Sequence, residues 1–393
     1  MFIFIFPYRF TSDFYNKYNI CELKKNLNVP MEVHDLSYIV NKDWRKAFNG
    51  KKSNVIKEFK SIDEWKKYIE NKLKIKKKIF ILSELDLNNF NSILIHRILN
   101  KKEITLLQYK SPEIYVQQRK KLTFSEIIFK FFILLFSNYK RLIFTLKQRF
   151  LNYFIKLIKF KKLIILYSGR KKYLLPYLNS SETSFVNYNS CDFSNYISYE
   201  NKFLKKNNKI VFLDSNALFF SDKKLFGFNI NYDDVTWYKS LNKYLLNVQK
   251  NFKLPVVIIP HPRSRKKNNK FYSSKLKVMR DDNATIKAIK DAKLVFAISA
   301  TTAVSYTVIF NKPVNFIYNE QIKKKNPTQF KDMRNLAKVL GTKFINLDKE
   351  FMKRKINLKI NKKLYNNYKY NYLTSKKTEN KKNFEILNEN FFN

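Results

Sequence analysis

Two short polar clusters carry the side chains of this chain that are best suited to bind a phosphate. The first contains His261 and Arg263, and the second contains Ser299, Thr301 and Thr302. Each cluster follows an apolar run of the kind that is typical of a strand buried on both faces of a parallel sheet. Ligands of such sheets lie beyond the carboxyl ends of the strands. We therefore expect both clusters to face one crevice.

The first cluster offers an imidazole and a guanidinium group. His261 lies between two prolines, which restrict the backbone on both sides and fix the place where the ring is presented. An imidazole can donate to a phosphate oxygen, and the phosphate favours its protonated form. Arg263 adds a group that pairs with phosphate through two parallel hydrogen bonds. The alternative for His261 is a histidine satisfied within a turn.

The second cluster offers hydroxyl groups between a predicted strand, 294–298, and a predicted helix, 302–310. Hydroxyls and free backbone N–H groups converge at such a junction and bind anions without glycine. The alternative for Ser299, Thr301 and Thr302 is simple helix capping. The occurrence of both clusters after successive strands of one apparent domain favours the phosphate site.

Glycine is scarce, which excludes the common phosphate-binding loops. The chain has four glycines, each isolated: Gly50, Gly169, Gly227 and Gly341. Neither a Walker loop nor a G-x-G-x-x-G turn can be built from them. If phosphates are bound, side chains and helix N-termini must bind them.

Cysteine and histidine are too few and too far apart to predict a metal site. Cys21 and Cys191 have no metal-like spacing, and neither have His34, His96 and His261. Two distant cysteines indicate a reducing compartment, so we expect a cytoplasmic protein. No metal and no cofactor is predicted.

The net charge is the extreme feature of the composition. The chain has 78 Lys and Arg residues against 31 Asp and Glu residues, a formal charge of +47. Such a charge attracts nucleic acid, anionic lipid or phosphorylated ligands. The basic residues are mostly Lys, spread along the whole chain, and no nucleic-acid recognition motif appears. A solvated lysine coat produced by a drift in composition is the alternative to a charged partner.

The 393 residues are enough for two domains, each with its own core. Strands alternate with helical patterns, which predicts parallel sheets. The predicted strands are 1–6, 29–36, 79–82, 104–108, 163–167, 184–188, 209–214, 255–260, 294–298 and 314–318. The predicted helices are 56–72, 124–160, 233–252, 283–292 and 302–310. A polar linker at 199–208 separates the domains, which we place at 1–204 and 205–360, and 361–393 is a low-complexity tail or a crossover helix.

The helical pattern Phe124 to Phe160 is very apolar but is interrupted by Lys and Arg residues. Its longest uncharged run, 131–139, is too short to span a bilayer, which needs about 20 residues. We expect either a helix packed on the sheet or a basic, aromatic-rich helix that lies in the headgroup plane.

The order of motifs in the second half resembles a known family. A His-Pro element at His261, a Ser/Thr-rich element at Ser299 and a helix that closes on Lys312 and Pro313 resemble the GT-B glycosyltransferases of bacterial surface polysaccharide biosynthesis. The pattern is similar to bacterial sialyltransferases, which have HP and S motifs, and covers mainly residues 209–320. The resemblance implies an α/β fold with two Rossmann-like domains that face an interdomain cleft.

By this resemblance, the C-terminal domain binds a nucleotide-sugar donor, plausibly CMP-linked, and the N-terminal domain binds a glycan or lipid-linked acceptor. His261, Ser299, Thr301 and Thr302 hold the donor phosphate, and Arg263 assists. The transfer is metal-independent and serves lipopolysaccharide or capsule assembly at the inner face of the membrane.

The general base is left open, because the acidic motif of the similar sialyltransferases, two acidic residues followed by Gly, is missing from this chain. Inverting transfer needs a carboxylate to take the proton of the acceptor hydroxyl. Asp214, at the end of a predicted strand, and Asp222 are the first candidates, and Asp35 and Asp192 are the rivals. Each of them can also be a cap or turn residue.

Two other functions stay open. One is transfer of a polyol phosphate from a CDP-linked donor, as in teichoic-type polymers, which would use the same fold and phosphate site. The other belongs to a different class, a basic nucleic-acid-binding protein driven by the charge of +47.

Overall fold

The computed structural model of the chain contains two parallel sheets in two compact units. It describes residues 1–42, 45, 49–76, 78–85, 90–111, 132, 135–136, 139–173, 178–199, 207–214, 233–261, 271–280 and 284–393. The first unit contains the described residues up to 111, from 132 to 194 and from 374 to 393. The second unit contains those from 195 to 373.

The first unit is built on a seven-stranded sheet in the order β3-β2-β1-β4-β5-β6-β7. Its strands are β1 Phe2–Phe6, β2 Met31–Asp35, β3 Ile56–Glu58, β4 Ile79–Ser83, β5 Ile104–Lys110, β6 Phe160–Tyr167 and β7 Ser180–Asn187. All its strand pairs are parallel. The five residues of β1 are all buried, because helices cover both faces of the sheet centre.

The helices that begin in this half of the chain are α1 Ser12–Lys17, α2 Ile20–Asn26, α3 Ser37–Val40, α4 Ile62–Ile75, α5 Phe90–Leu99, α6 Tyr139–Lys156 and α7 Cys191–Tyr199. The predicted helix 56–72 is wrong at its start. Residues 56–58 form β3 and pair with β2, and the helix begins only after Ser61, whose side chain accepts from the N–H of Glu64 at 3.1 Å.

The long helix predicted over 124–160 is described in its second half only, as α6. The prediction runs too far at its end, since Phe160 is the first residue of β6. Leu142 and Leu151 of α6 are buried, and Leu151 belongs to the hydrophobic core of the first unit. Among the described helices, none combines the length and the apolar character that crossing a bilayer requires. Residues 124–131 lie outside the described residues.

The second unit is built on a six-stranded sheet in the order β10-β9-β8-β11-β12-β13. Its strands are β8 Lys209–Leu213, β9 Val256–Ile259, β10 Lys277–Val278, β11 Ala292–Ala297, β12 Val314–Tyr318 and β13 Phe344–Asn346. Again, every strand pair is parallel. The remaining helices are α8 Asp234–Phe252, α9 Ala284–Lys290, α10 Val304–Ile309, α11 Glu320–Lys325, α12 Pro327–Leu340, α13 Lys362–Tyr368 and α14 Asn383–Leu387.

Helix α8 confirms the amphipathic pattern seen in the sequence. The side chain of Asp233 caps it by accepting from the N–H of Thr236 at 3.0 Å. Its buried residues are Trp237, Tyr238, Leu241, Tyr244, Leu245 and Val248. These side chains form the apolar stripe that packs the helix on the sheet.

Both sheets have the strand order of doubly wound Rossmann-like domains, in which the chain runs outwards from a central strand, first one way and then the other. The predicted α/β class with two Rossmann-like domains and mostly parallel sheets, the make-up of a GT-B-like fold, is confirmed. The interdomain cleft stays a prediction.

The last residues of the chain belong to the first unit. The side-chain amide of Asn189 donates to the carbonyl oxygens of Thr378 and Lys381, at 2.9 and 2.7 Å. The ring of Phe392 packs on Phe80 with the centroids 5.1 Å apart. Residues 361–393 form several short helical segments instead of one long helix, since α13 and α14 are separated by turns.

A buried histidine makes the first unit sensitive to acid. His96 of α5 is fully buried, with Nδ1 2.7 Å from the carbonyl oxygen of Ser92 and the ring edge-on to Phe160. Its Nε2 has no hydrogen-bond partner among the described residues. Burial lowers the pKa of His96 to about 4.

We predict that His96→Phe makes the melting temperature less dependent on pH between about 6.5 and 4. The unfolded chain takes up a proton with the ordinary histidine pKa of about 6.5, whereas the folded chain does not, so stability falls as the pH falls through this window. Thermal unfolding followed at several pH values measures the slope. Equal slopes for wild type and His96→Phe would contradict the prediction.

Candidate functional site

The carboxyl ends of three neighbouring strands in the second unit form one edge of the sheet. Strand β8 pairs with β9 through Leu213 and Ile259, and with β11 through Leu213 and Ala297. The last residues of the three strands therefore lie in one row. The order of strands reverses between β8 and β11, which is the place where ligands bind in open sheets of this type.

The two predicted clusters lie just beyond this row. His261 follows β9 by two residues, Ser299 follows β11 by two residues, and Asp214 directly follows β8. Both clusters therefore lie at one sheet edge, and the expectation that they face one crevice stays a prediction. They are not on adjacent strands, however, because β8 lies between β9 and β11, so their backbones are about 10 Å apart at the usual strand spacing.

Two of the three hydroxyl groups in the second cluster are buried and make no hydrogen bond to the described residues. Ser299 Oγ and Thr301 Oγ1 are shielded from solvent and have no hydrogen-bond partner among the described residues. They do not cap the following helix: the N-cap of α10 is Ala303, and no side chain accepts from its first turn. Leaving such a hydroxyl unpaired costs about 1–3 kcal/mol. Ser299 and Thr301 are two residues apart, and their hydroxyls are available to hydrogen-bond a ligand. Thr302, the third predicted residue, is exposed.

The backbone that carries these hydroxyls is held in place. The side-chain amide of Gln329 donates to the carbonyl oxygen of Ile298 at 2.9 Å, and Ile298 is buried. The carbonyl oxygen of Thr301 accepts from the N–H of Val304 at 3.1 Å, which fixes the turn into α10. The hydroxyls are therefore presented from a turn that is held at both ends.

On the other side of β8, His261 follows the buried Pro260 and is partly exposed. Its role in binding a phosphate stays a prediction. Arg263 and Asp222, which belong to the predicted site, lie outside the described residues. Their roles stay predictions.

Asp214 lies between the two clusters and has a buried partner. Its backbone N–H donates to the carbonyl oxygen of Ile259 at 3.0 Å. The hydroxyl of Tyr272 donates to Oδ2 at 2.5 Å, and Tyr238 packs edge-on to Tyr272. Burial and the nearby carboxylate raise the pKa of Tyr272 well above its usual range, so the phenol keeps its proton. One carboxylate oxygen of Asp214 is thus engaged within the unit, and its role as a base stays a prediction.

The rival carboxylates are in the first unit. Asp35 is fully buried and accepts from the N–H groups of Phe10 and Ser37, both at 2.9 Å, and from the Ser37 hydroxyl at 2.5 Å. These bonds occupy both of its oxygens and hold the turn after β2. Asp192 lies in the first turn of α7. The sequence pattern did not single out another carboxylate, Glu84, although it directly follows a correctly predicted strand, β4.

Among the described residues, no three or more His, Cys, Asp and Glu side chains come together in a suitable cluster.

Comparison with known proteins yields similar folds only. No protein-family model and no curated protein sequence matches the chain. Solved structures similar to it include MurG of Acinetobacter baumannii, at 10% identity and a TM-score of 0.44, with 95% of each chain covered. A galactoside α-2,3-sialyltransferase of Photobacterium phosphoreum aligns at 12% identity and a TM-score of 0.44, covering 88% of this chain and 98% of that one. A UDP-GlcNAc 2-epimerase of Methanocaldococcus jannaschii aligns at 9% and 0.40, covering 94% of this chain and 100% of that one. The function must be argued from the residues of this chain.

We predict that the double substitution Ser299→Ala and Thr301→Val weakens nucleotide binding at least roughly tenfold but leaves the free protein as stable as wild type or more stable. The reason is that the hydroxyls are unpaired without a ligand and donate to a charged group with one. Calorimetric titration with CMP, CDP, UDP and GDP measures the first effect, and thermal unfolding without nucleotide measures the second.

Thr307→Val provides the matched control for this pair. The Thr307 hydroxyl is fully buried but donates to the carbonyl oxygen of Val304 at 2.7 Å. Its loss should lower the melting temperature and leave nucleotide affinity unchanged. The opposite pattern in the double variant, lower stability with unchanged affinity, would show that Ser299 and Thr301 serve the fold and not a ligand.

Proposed function

We propose that this protein is a glycosyltransferase that moves a sugar from a nucleotide donor, plausibly CMP-linked, to a surface glycan acceptor without a metal ion. The observation that carries the proposal is the pair of buried, unpartnered hydroxyls of Ser299 and Thr301 at the point where the strand order of the second sheet reverses. They form an anion site, and the imidazole of His261 lies on the other side of β8.

The proposed transfer depends on the negative charge that develops on the donor phosphate. When the bond between the sugar and the donor phosphate breaks, negative charge builds on the leaving phosphate oxygen. Hydrogen-bond donors already in place stabilise that charge without rearranging during the reaction. The hydroxyls of Ser299 and Thr301 and a protonated His261 are such donors, with Arg263 in support.

We predict that His261→Ala lowers the rate of transfer or donor hydrolysis about 100-fold, a typical loss for one donor to a developing anion. The donor is first selected by thermal shift with CMP-, UDP-, GDP- and CDP-linked compounds, since a tight ligand raises the melting temperature. Turnover at the wild-type rate in a folded His261→Ala variant would remove the proposed role. Analysis of the product separates the two transfer reactions, because a phosphodiester in place of a glycosidic bond would indicate a polyol phosphotransferase.

We further propose that the protein works at an anionic membrane surface, with α6 in the headgroup region. Large apolar side chains on this helix are exposed at intervals of three and four residues: Ile143, Leu146, Phe150, Tyr153 and, just after the helix, Leu157. At about 100° per residue they form one stripe. This stripe is apolar surface of the kind that interfacial helices insert between headgroups.

The charge around the stripe favours anionic lipid as the partner. Lys147 and Arg149 are exposed and lie on opposite sides of it by helical spacing. The chain has twelve Lys and Arg residues and no acidic residue between Glu126 and Glu182. A basic, apolar face fits a bilayer that contains anionic headgroups.

We predict that the triple variant Ile143→Ser, Phe150→Ser and Leu157→Ser loses most of its binding to vesicles of phosphatidylglycerol and phosphatidylcholine, measured by flotation at physiological salt. The control is the pair Ile75→Ser and Phe90→Ser, which removes two apolar side chains of similar exposure, 75% and 61%, from other helices of the first unit. It should bind like wild type. Absence of wild-type binding would contradict the membrane part and leave the transferase proposal intact.

A further inference from the structure

Strand β7 is an edge of the first sheet, and no strand among the described residues lies on its outer side. Its eight residues, Ser180–Asn187, pair on the inner side with β6, from Phe160 to Tyr167. None of the eight is buried, whereas all five residues of the central strand β1 are. A long and exposed edge strand is a template on which a further strand can pair.

The direction of the backbone shows which residues of β7 offer hydrogen bonds on its outer side. The N–H of Tyr188, directly after the strand, donates inwards to the carbonyl oxygen of Tyr167 at 2.8 Å. The register with β6 is continuous over the second half of β7, and successive residues of a strand turn their backbone groups to opposite sides. Ser184 therefore bonds to β6, as Tyr188 does. Thr183 and Phe185 direct their N–H and C=O groups outwards.

The charge distribution allows a second copy of the chain to approach this edge. Residues 173–201, which contain β7, form the longest segment without Lys or Arg in a sequence that has 78 of them. Two copies with a charge of +47 each repel one another, and they do so least where these residues are missing. The one charged side chain within β7 is Glu182, and Lys162 of β6 lies beside it in the register. Anionic partners such as nucleic acid or lipid are not attracted to such a segment.

The sequence of β7 fits a second copy of itself in antiparallel orientation. A two-fold axis perpendicular to the sheet keeps each face of the sheet continuous and places one residue opposite its own copy. With Ser184 on the axis, Thr183 lies opposite Phe185, and such pairs of a β-branched and an aromatic residue stabilise antiparallel strands. The outward backbone groups of Thr183 and Phe185 then exchange two hydrogen bonds. Glu182 lies opposite Val186, so no like charges face each other.

We propose that two copies of this chain form a dimer by pairing their β7 strands antiparallel about Ser184. The inference goes beyond the proposed function and does not rest on it. Pairing joins the two sheets into one continuous sheet and covers Phe185 and Val186, which are partly buried in the single chain. Eight residues from each copy make a small interface, so we expect a dimer that dissociates on dilution.

The first test is disulfide formation in the full chain carrying Cys21→Ser and Cys191→Ser, which removes the native thiols. On the axis, Ser184 forms a pair with its own copy that is not hydrogen-bonded, and the two Cα atoms of such a pair lie about 4.5 Å apart, within reach of a disulfide. We therefore expect Ser184→Cys to form a covalent dimer under mild oxidation, seen on non-reducing gels. Ser181→Cys is the matched control, because Ser181 is exposed in the same strand but lies roughly 20 Å from its own copy.

The second test is sedimentation velocity of the full chain over a range of concentrations. The wild type should shift from monomer to dimer as its concentration rises. Ser184→Lys and Ser184→Glu should each stay monomeric, because each places like charges directly opposite one another. Both should keep the wild-type melting temperature of the monomer, since Ser184 is exposed. An equal mixture of the two variants should form a mixed dimer, because opposite charges then face each other.

Three results would overturn the proposal. The first is a wild type that stays monomeric at the highest concentration at which it is soluble. The second is a Ser184→Lys variant that forms the dimer as readily as wild type, which would place the contact elsewhere. The third is a Ser184→Cys variant that forms no more covalent dimer than Ser181→Cys.

Discussion

Parallel strand pairing is the constraint on which the candidate chemistry depends. All the strand pairs described in both sheets are parallel, so every carboxyl end in a sheet lies at the same edge. Residues far apart in the chain, such as Asp214, His261 and Ser299, thereby come to one edge without any local sequence signal. The same rule places Glu84 at the corresponding edge of the first sheet.

At these edges lie polar side-chain atoms that have no hydrogen-bond partner among the described residues. With four isolated glycines the chain has no phosphate loop, and the second sheet presents the hydroxyls of Ser299 and Thr301 instead. The first sheet presents a carboxylate oxygen of Glu84. Each sheet thus carries, at the edge where its strand order reverses, a polar side-chain atom that has no partner among the described residues.

Much of the fold could be predicted from the sequence, because strands that are buried on both faces appear as unbroken apolar runs. The predicted helix 56–72 was wrong at its start, where the local pattern and the strand pairing disagree. Ile56 continues the apolar stripe of α4 in the sequence, but in the structure it belongs to β3 and pairs with β2. The sequence predicted that His261 and Ser299 share one sheet edge. It did not predict that β8 lies between their strands, because the order of strands in a sheet depends on tertiary contacts. Glu84 was missed because the groups that interact with it, such as Tyr18 and Lys110, are distant in sequence.

The central claim is that the edge of the second sheet holds the phosphate of a nucleotide donor. A crystal structure of the protein with the nucleotide that raises its melting temperature most is the direct test. The account predicts phosphate oxygens within hydrogen-bond distance of Ser299 Oγ and Thr301 Oγ1. A nucleotide bound elsewhere, with both hydroxyls still unpartnered or satisfied by the protein itself, would contradict it.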